Sequence, residues 1–289
     1  MQFRARLTLA PFNFEIITDL PLVAGNLCKM YPDSIRHNES LIDYSLTVTK
    51  GQGIRRLFKP QARFFADTQE PFQPLQLQQG YAMLEWGMNW CIAAHEMQYV
   101  IIHSAVLAKG DKAILFPAPP GSGKSTLTAY LAFNGWRLLS DEMALILPFS
   151  NKVQPFVRPI CLKNRSIALA KSWFPTGVFS SIATDTHKGD VVHLSPPAAS
   201  WQGALQQAEI VAVVFPSYQA DTNLDIYSLD QTQAFMQLAR NAFNFGVIGQ
   251  EGFATLTAII EQVPAFEVQY NDLKAVAAFL EQEVLADAR

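Results

Sequence analysis

Hydrophobic and polar positions follow three different patterns along the chain. In the first quarter they alternate. Arg4–Leu9 and Tyr44–Thr49 place apolar residues at every second position, and Phe12–Ile17 is rich in them, which predicts half-buried strands. Prolines at 11, 21, 32, 60, 71 and 74 punctuate this stretch, so strands and turns are expected up to about residue 75. From Leu77 to Glu96 the period changes to that of a helix, with Leu77, Tyr81, Leu84, Met88, Cys91 and Ile92 on one side. Beyond it lie short, almost uninterrupted apolar runs: Tyr99–Leu107, Ala113–Phe116, Trp136–Leu139, Met143–Leu147 and Glu209–Pro216. Runs of this length suit strands buried on both faces of a sheet.

The first two of these runs are joined by Lys109-Gly110-Asp111 and read as a hairpin. A helix follows with Leu127, Tyr130, Leu131 and Phe133 at helical spacing, ending at Gly135. Further on, the pattern predicts a strand at Asp225–Leu229 and helices at Thr232–Ala242 and Gly252–Glu261. A last strand, Pro264–Tyr270, leads into an amphipathic helix over Asn271–Ala286 capped by Asn271 or Asp272. Trp173–Pro197 carries no periodic signal and is expected to be a long loop of the lid or substrate-contact kind. The resulting expectation is an α/β fold, a mixed sheet flanked by helices over 76–289, preceded by a strand-rich α+β region over 1–75.

Composition narrows the function classes. Apolar residues make up 49% and charged residues 16% of the 289, enough for a large core and too few charges for a disordered chain. A net charge of −3 argues against nucleic acid as the partner while leaving room for a local phosphate site. Cys28, Cys91 and Cys161 show no paired spacing and fit reduced thiols, and with them a cytoplasmic protein. The most apolar stretch, Trp86–Leu107, is interrupted by His95, Glu96 and His103, so no membrane span is expected. Arg55, Arg56 and Lys59 read as a solvated basic face.

The chemistry concentrates after the strand Ala113–Phe116. Gly121, Ser122, Gly123, Lys124, Ser125 and Thr126 lie between that strand and a helix, the arrangement of a phosphate-binding loop. A tight loop entering a helix offers backbone N–H groups and the positive end of the helix dipole to phosphate oxygens. Glycine leaves room for them, Lys124 reaches the terminal phosphates and Ser125 ligates Mg²⁺. Ala118 stands where the usual pattern has glycine, five positions before Gly123. Asp141 and Glu142 follow the next strand, as a metal ligand and a base would. His103 lies in the strand before the loop and is either a core histidine or functional. Arg158, Lys163 and Arg165 could stabilise charge on a moving phosphoryl group. His187 and His193 lack the spacing of a metal pair.

The segments IIHSAVL, PAPPGSGKSTL, GWRLLSDE, RPICLKN, HKGDVVHL and VPAFEVQYNDL together resemble HPr kinase/phosphorylase, and more closely the bacterial offshoot called HPr-related kinase A, over roughly residues 95–280. The resemblance implies a P-loop kinase domain of the type shared with phosphoenolpyruvate carboxykinase. It implies ATP and Mg²⁺ as cofactors, and a serine hydroxyl on a small protein or peptide as acceptor. Gly121–Thr126 would hold ATP. Asp141 would be the general base and Glu142 the acid on the metal side, with His103 near the transferred phosphate and Arg158, Lys163 and Lys188 as further candidates. Glu142 replaces an aspartate of the family's acid pair, and no copy of the Glu-Ile-Arg-Gly-type signature of true HPr kinases is found in the sequence, so the resemblance leaves open whether HPr is the acceptor and whether the reverse reaction occurs. True HPr kinases are hexamers, which makes a homo-oligomer an expectation of the resemblance alone. A small-molecule kinase, or a nucleotide-gated binding module with weak ATPase activity, remains an alternative.

Overall fold

The computed structural model describes residues 2–36, 41–51 and 59–287; Arg55 and Arg56 lie outside them. The chain forms two compact units with mixed α/β content. One comprises Met1–His95 and Arg158–Ser195, the other Glu96–Val157 and Pro196–Arg289. No helix among the described residues is long and apolar enough to cross a membrane.

The first unit is built on a five-stranded sheet whose strands lie in chain order: Phe3–Leu9, Phe12–Thr18, Tyr44–Lys50, Gln61–Ala66 and Leu75–Gln76. Its alternation matches the sequence pattern, with Phe12, Phe14, Ile16 and Thr18 all buried on one face. The second and third strands are parallel, which requires a crossover, and helix Pro21–Met30 lies between them in the chain. That helix lies inside the stretch expected to hold only strands and turns. Its ten residues open with Pro21 and place Val23, Leu27 and Met30 at helical spacing, and burial of these three holds it despite the internal Gly25.

Helix Gly80–His95 belongs to this unit and buries Tyr81, Leu84, Met88, Cys91 and Ile92, as its period predicts. It approaches the sheet so closely that a side chain at Gly87 would meet the Phe64 ring at 2.2 Å. The expectation of an unstructured loop over Trp173–Pro197 is corrected here. Ala183–Thr186 and Gly189–Leu194 form an antiparallel hairpin, and Ile160–Lys163 pairs with its second strand. The first strand of the hairpin, ATDT, buries only Ala183, so it gives no hydrophobic signal; pairing with its neighbour makes it a strand. Helix Arg165–Trp173 has Ile167 and Ala170 as its only buried residues, too few for a clear apolar stripe.

A polar cluster is buried within this unit. Glu85, 1% exposed, accepts from the Tyr31 hydroxyl at 2.7 Å and from Arg158 Nη2 at 2.8 Å. Arg158 also donates to the Glu85 carbonyl at 2.8 Å and to Asn89 Oδ1 at 2.5 Å. Burial, reinforced by the nearby Glu85 carboxylate, raises the Tyr31 phenol well above its ordinary range.

The second unit holds a mixed sheet in the order Lys152–Gln154, Met143–Ile146, Val100–Lys109, Lys112–Pro117, Ala208–Tyr218, Ala265–Tyr270 and Leu224–Ser228, with Arg137–Ser140 also paired to Val100–Lys109. Lys112–Pro117, Ala208–Tyr218 and Ala265–Tyr270 are mutually parallel in that order, and the other pairings are antiparallel. Val100, Ile102, Val106, Leu115, Val213, Leu238, Leu256 and Ile259 share one core, so residues of helices Gln231–Arg240 and Phe245–Gln262 pack on the sheet. Gly249, at φ 55° and ψ −119°, kinks Phe245–Gln262 into two helical segments, and the second contains the expected helix Gly252–Glu261. Asp272 caps the last helix from Leu273, accepting from the Lys274 amide.

Removing one partner of a buried ion pair strands the other charge away from water. Arg158→Ala is therefore expected to destabilise the protein by about 3 kcal/mol, measured by denaturant unfolding. A change under about 1 kcal/mol, the range of exposed pairs, would show that Glu85 does not depend on this guanidinium.

Candidate functional site

Strand pairing assembles the site. In the hairpin Val100–Lys109/Lys112–Pro117, Lys109 faces Lys112 across a turn in which Gly110 has φ 61°, so Ser104 faces Pro117. His103 therefore sits where the loop leaves its strand. On its other edge the strand pairs Val106 with Ser140 and His103 with Met143. The intervening Asp141 and Glu142 are thus held at the same end of the sheet, and the Glu142 carbonyl accepts the Ser104 amide at 3.2 Å. Ser140, buried, accepts the Met143 amide at 3.0 Å and fixes the turn that carries both acids.

The loop from Ala118 to Gly123 ends in helix Lys124–Phe133. Gly121 and Gly123 have φ of 91° and 86°, conformations that glycine adopts freely. A side chain on Gly121 would meet nothing within 4 Å, whereas one on Gly123 would lie 2.8 Å from the Tyr270 hydroxyl. Two loop carbonyls are tied down, one by a strand and one by the following helix. Ser122 O accepts the Tyr218 amide at 2.9 Å, and Gly123 O accepts the Leu127 amide at 3.0 Å, with the Tyr270 hydroxyl 3.4 Å away. The first N–H groups of the helix have no intrahelical acceptor and carry the positive end of its dipole, so the loop mouth favours an anion. The Ser122 hydroxyl is buried there with no hydrogen-bond partner among the described residues.

Two charged side chains at this site are buried: Lys124 at 7% exposure and Asp141 at 5%. Asp141 Oδ2 accepts from Ser125 Oγ at 3.4 Å. A hydroxyl and a carboxylate this close are hard oxygen donors for a small divalent cation. No group of three or more His, Cys, Asp or Glu that could hold a metal occurs among the described residues. Mg²⁺ takes few protein ligands and fills its shell with water and phosphate oxygens, so a hydroxyl–carboxylate pair is the kind of donor set that could hold it. Glu142 is partly buried next to it in the turn.

His103 is braced by a segment that the sequence did not single out. Asn241 O accepts the His103 amide at 2.7 Å, Phe243 donates its amide to Ile101 O at 2.8 Å, and the Phe243 ring lies 5.7 Å from the imidazole. Asn244, fully buried, accepts the Ile101 amide and donates to the Tyr99 carbonyl at 2.8 Å. These contacts run between segments some 140 residues apart and leave no local signal. The same holds for Tyr218 and Tyr270.

The remaining candidates belong to the other unit. The guanidinium of Arg158 is engaged with Glu85 and Asn89. Lys163 closes the strand Ile160–Lys163, and Lys188 holds its ammonium 5.1 Å from the centre of the Trp86 ring. His187 packs on that same indole; partial burial first, then Lys188 and Lys163, lower its pKa. His193 is buried edge-on to Tyr81 at 5.4 Å.

Two outcomes follow from this packing. Gly121→Ala should cost only the left-handed backbone, about 1–2 kcal/mol. Gly123→Ala adds a collision with Tyr270 and should cost clearly more in denaturant unfolding; equal losses would mean that the phenol does not crowd the loop. Burial, with Tyr218 alongside, raises the Tyr270 phenol well above its ordinary range. A proton held more tightly folded than unfolded stabilises below the ordinary tyrosine pKa of about 10 and is lost as pH rises beyond it. Stability should therefore fall above about pH 10, and less steeply in Tyr270→Phe, when unfolding is followed against pH.

No protein-family model matches this chain, and no curated protein matches it. Among solved structures it is similar to the Hpr(Ser) kinase/phosphatase from Coxiella burnetii, at 11% identity, covering 65% of this chain and 99% of that one, with a TM-score of 0.32. That level of agreement establishes neither the fold nor the activity of this chain.

Proposed function

We propose that the chain is an ATP-dependent kinase that transfers the γ-phosphoryl group to a hydroxyl, a serine of a small protein or peptide. The observation that carries this reading is the meeting, at one end of one sheet, of a glycine loop at a helix N-terminus with the Ser125–Asp141 pair at 3.4 Å. The loop supplies the anion cradle and the pair supplies the cation site, and phosphoryl transfer needs both.

In this reading Gly121, Ser122 and Gly123 bring backbone N–H groups to the phosphates, and the Ser122 hydroxyl finds its partner there. Lys124 sets its ammonium against the charge of the terminal phosphates. Thr126 lies in the first helical turn beside them. Ser125 and Asp141 would hold Mg²⁺, with Glu142 in support. When bound, Mg²⁺ neutralises charge on the phosphate oxygens. Asp141 accepts the proton of the attacking hydroxyl, its low exposure keeping competing water from that position. His103 sits on the neighbouring strand, oriented by Phe243, where it can donate a hydrogen bond to the group in transfer.

Asp141→Asn should lower the transfer rate by about 10²–10⁴-fold while ATP binding stays within an order of magnitude. Lys124→Ala should weaken both. The assay is incubation with γ-labelled ATP, Mg²⁺ and small proteins encoded nearby, read by intact mass. A phosphate mass gain on one acceptor, absent with Asp141→Asn, is the expected result. Tight ATP binding with slow hydrolysis and no acceptor would replace this reading with a nucleotide-gated binding module.

A further inference from the structure

The loop has two different flanks. On one side, through strand Val100–Lys109, stand Asp141 and Glu142; on the other are the parallel strands Ala208–Tyr218 and Ala265–Tyr270. Both of these end in tyrosine, and Tyr218 lies directly beside Tyr270 in the register. Their environments differ sharply. Tyr270 is 1% exposed and fills the space behind Gly123, whereas Tyr218 is 45% exposed. The rings meet edge-on, with centroids 6.1 Å apart, so the open ring is steadied by the buried one. Its backbone is fixed as well, since the Tyr218 amide donates to Ser122 O and the Gln219 amide to Tyr270 O, each at 2.9 Å. The Tyr218 Cβ lies 3.0 Å from where a side chain on Gly123 would begin.

A fixed, half-open aromatic ring next to an anion cradle, at the carboxyl ends of parallel strands where ligands of such sheets bind, is placed to meet a ligand. The direction of that ligand follows from the two flanks. A triphosphate whose terminal groups face the Ser125–Asp141 pair must extend its other end away from those acids. That is the Tyr218 side. We infer that Tyr218 is the base-contacting residue of the nucleotide site, its ring stacking on the nucleobase of a purine nucleoside triphosphate. A purine offers the larger π-surface to the ring. This inference rests on the nucleotide reading above and adds to it the part of the ligand that is not phosphate.

The test compares ATP, UTP and inorganic tripolyphosphate, each with Mg²⁺, by calorimetric titration of the full chain and of Tyr218→Ala and Tyr218→Phe. Tyr218→Ala should lose about tenfold in ATP affinity, the scale of one base–aromatic stack. The preference for ATP over UTP should shrink with it, tripolyphosphate binding should not change, and Tyr218→Phe should behave as the unaltered protein. ATP affinity or ATP:UTP preference unchanged in Tyr218→Ala overturns the inference. So does a parallel loss for tripolyphosphate, since Tyr218 would then act only through the loop. If the unaltered protein binds none of the three, the nucleotide reading itself fails, and this result is distinct from either of the others.

Discussion

Much of the second unit depends on the pairing of one strand. Val100–Lys109 is hydrogen-bonded to Lys112–Pro117, Arg137–Ser140 and Met143–Ile146. Side chains on a strand alternate between faces, so a slip of one residue would exchange the two faces along the whole strand. Both faces are buried here, and the tight turn at Gly110 sets the register. With that register fixed, His103, the start of the loop and the two acids are neighbours, although they are spread over some forty residues of chain. The site is a consequence of the hairpin.

A second constraint acts on the loop from below. Glycine is required at position 123 for two reasons: a left-handed backbone, and a phenol already standing where a side chain would go. Tyr270 can occupy that place because strand Ala265–Tyr270 is the next-but-one neighbour of the loop strand, and its last residue reaches the same sheet end. The loop is thereby held from its carbonyl side. Its N–H groups are left for a ligand, which is the polarity an anion needs. Buried Lys124 and Asp141 fit this arrangement, because charges are kept out of water only where partners or ligands compensate them.

The first unit uses its polar residues differently. Glu85, Arg158, Tyr31 and Asn89 are joined by hydrogen bonds inside it, so the arginine that the sequence offers as a candidate for phosphoryl charge is paired here with a carboxylate. Only exposure and partners separate a structural arginine from one available to a ligand, and neither can be read from residue type.

The sequence by itself determined the elements whose signal is local. Alternation marked the first strands, dense apolar runs marked the central sheet, and glycine and lysine spacing marked the strand–loop–helix, since each depends on neighbours within one or two turns of chain. The hairpin Ala183–Leu194 and the helix Arg165–Trp173 carry little signal of their own and are stabilised by partners distant in the chain, whereas Pro21–Met30 has Val23, Leu27 and Met30 at helical spacing within a stretch dominated by strand and turn signals. Tertiary structure alone decided which of these residues meet: Asp141 beside Ser125, Phe243 against His103, Tyr218 beside Tyr270 next to the loop, and Arg158 with Glu85. Strand order and register bring such residues together through backbone hydrogen bonds, and those bonds carry almost no trace of side-chain identity.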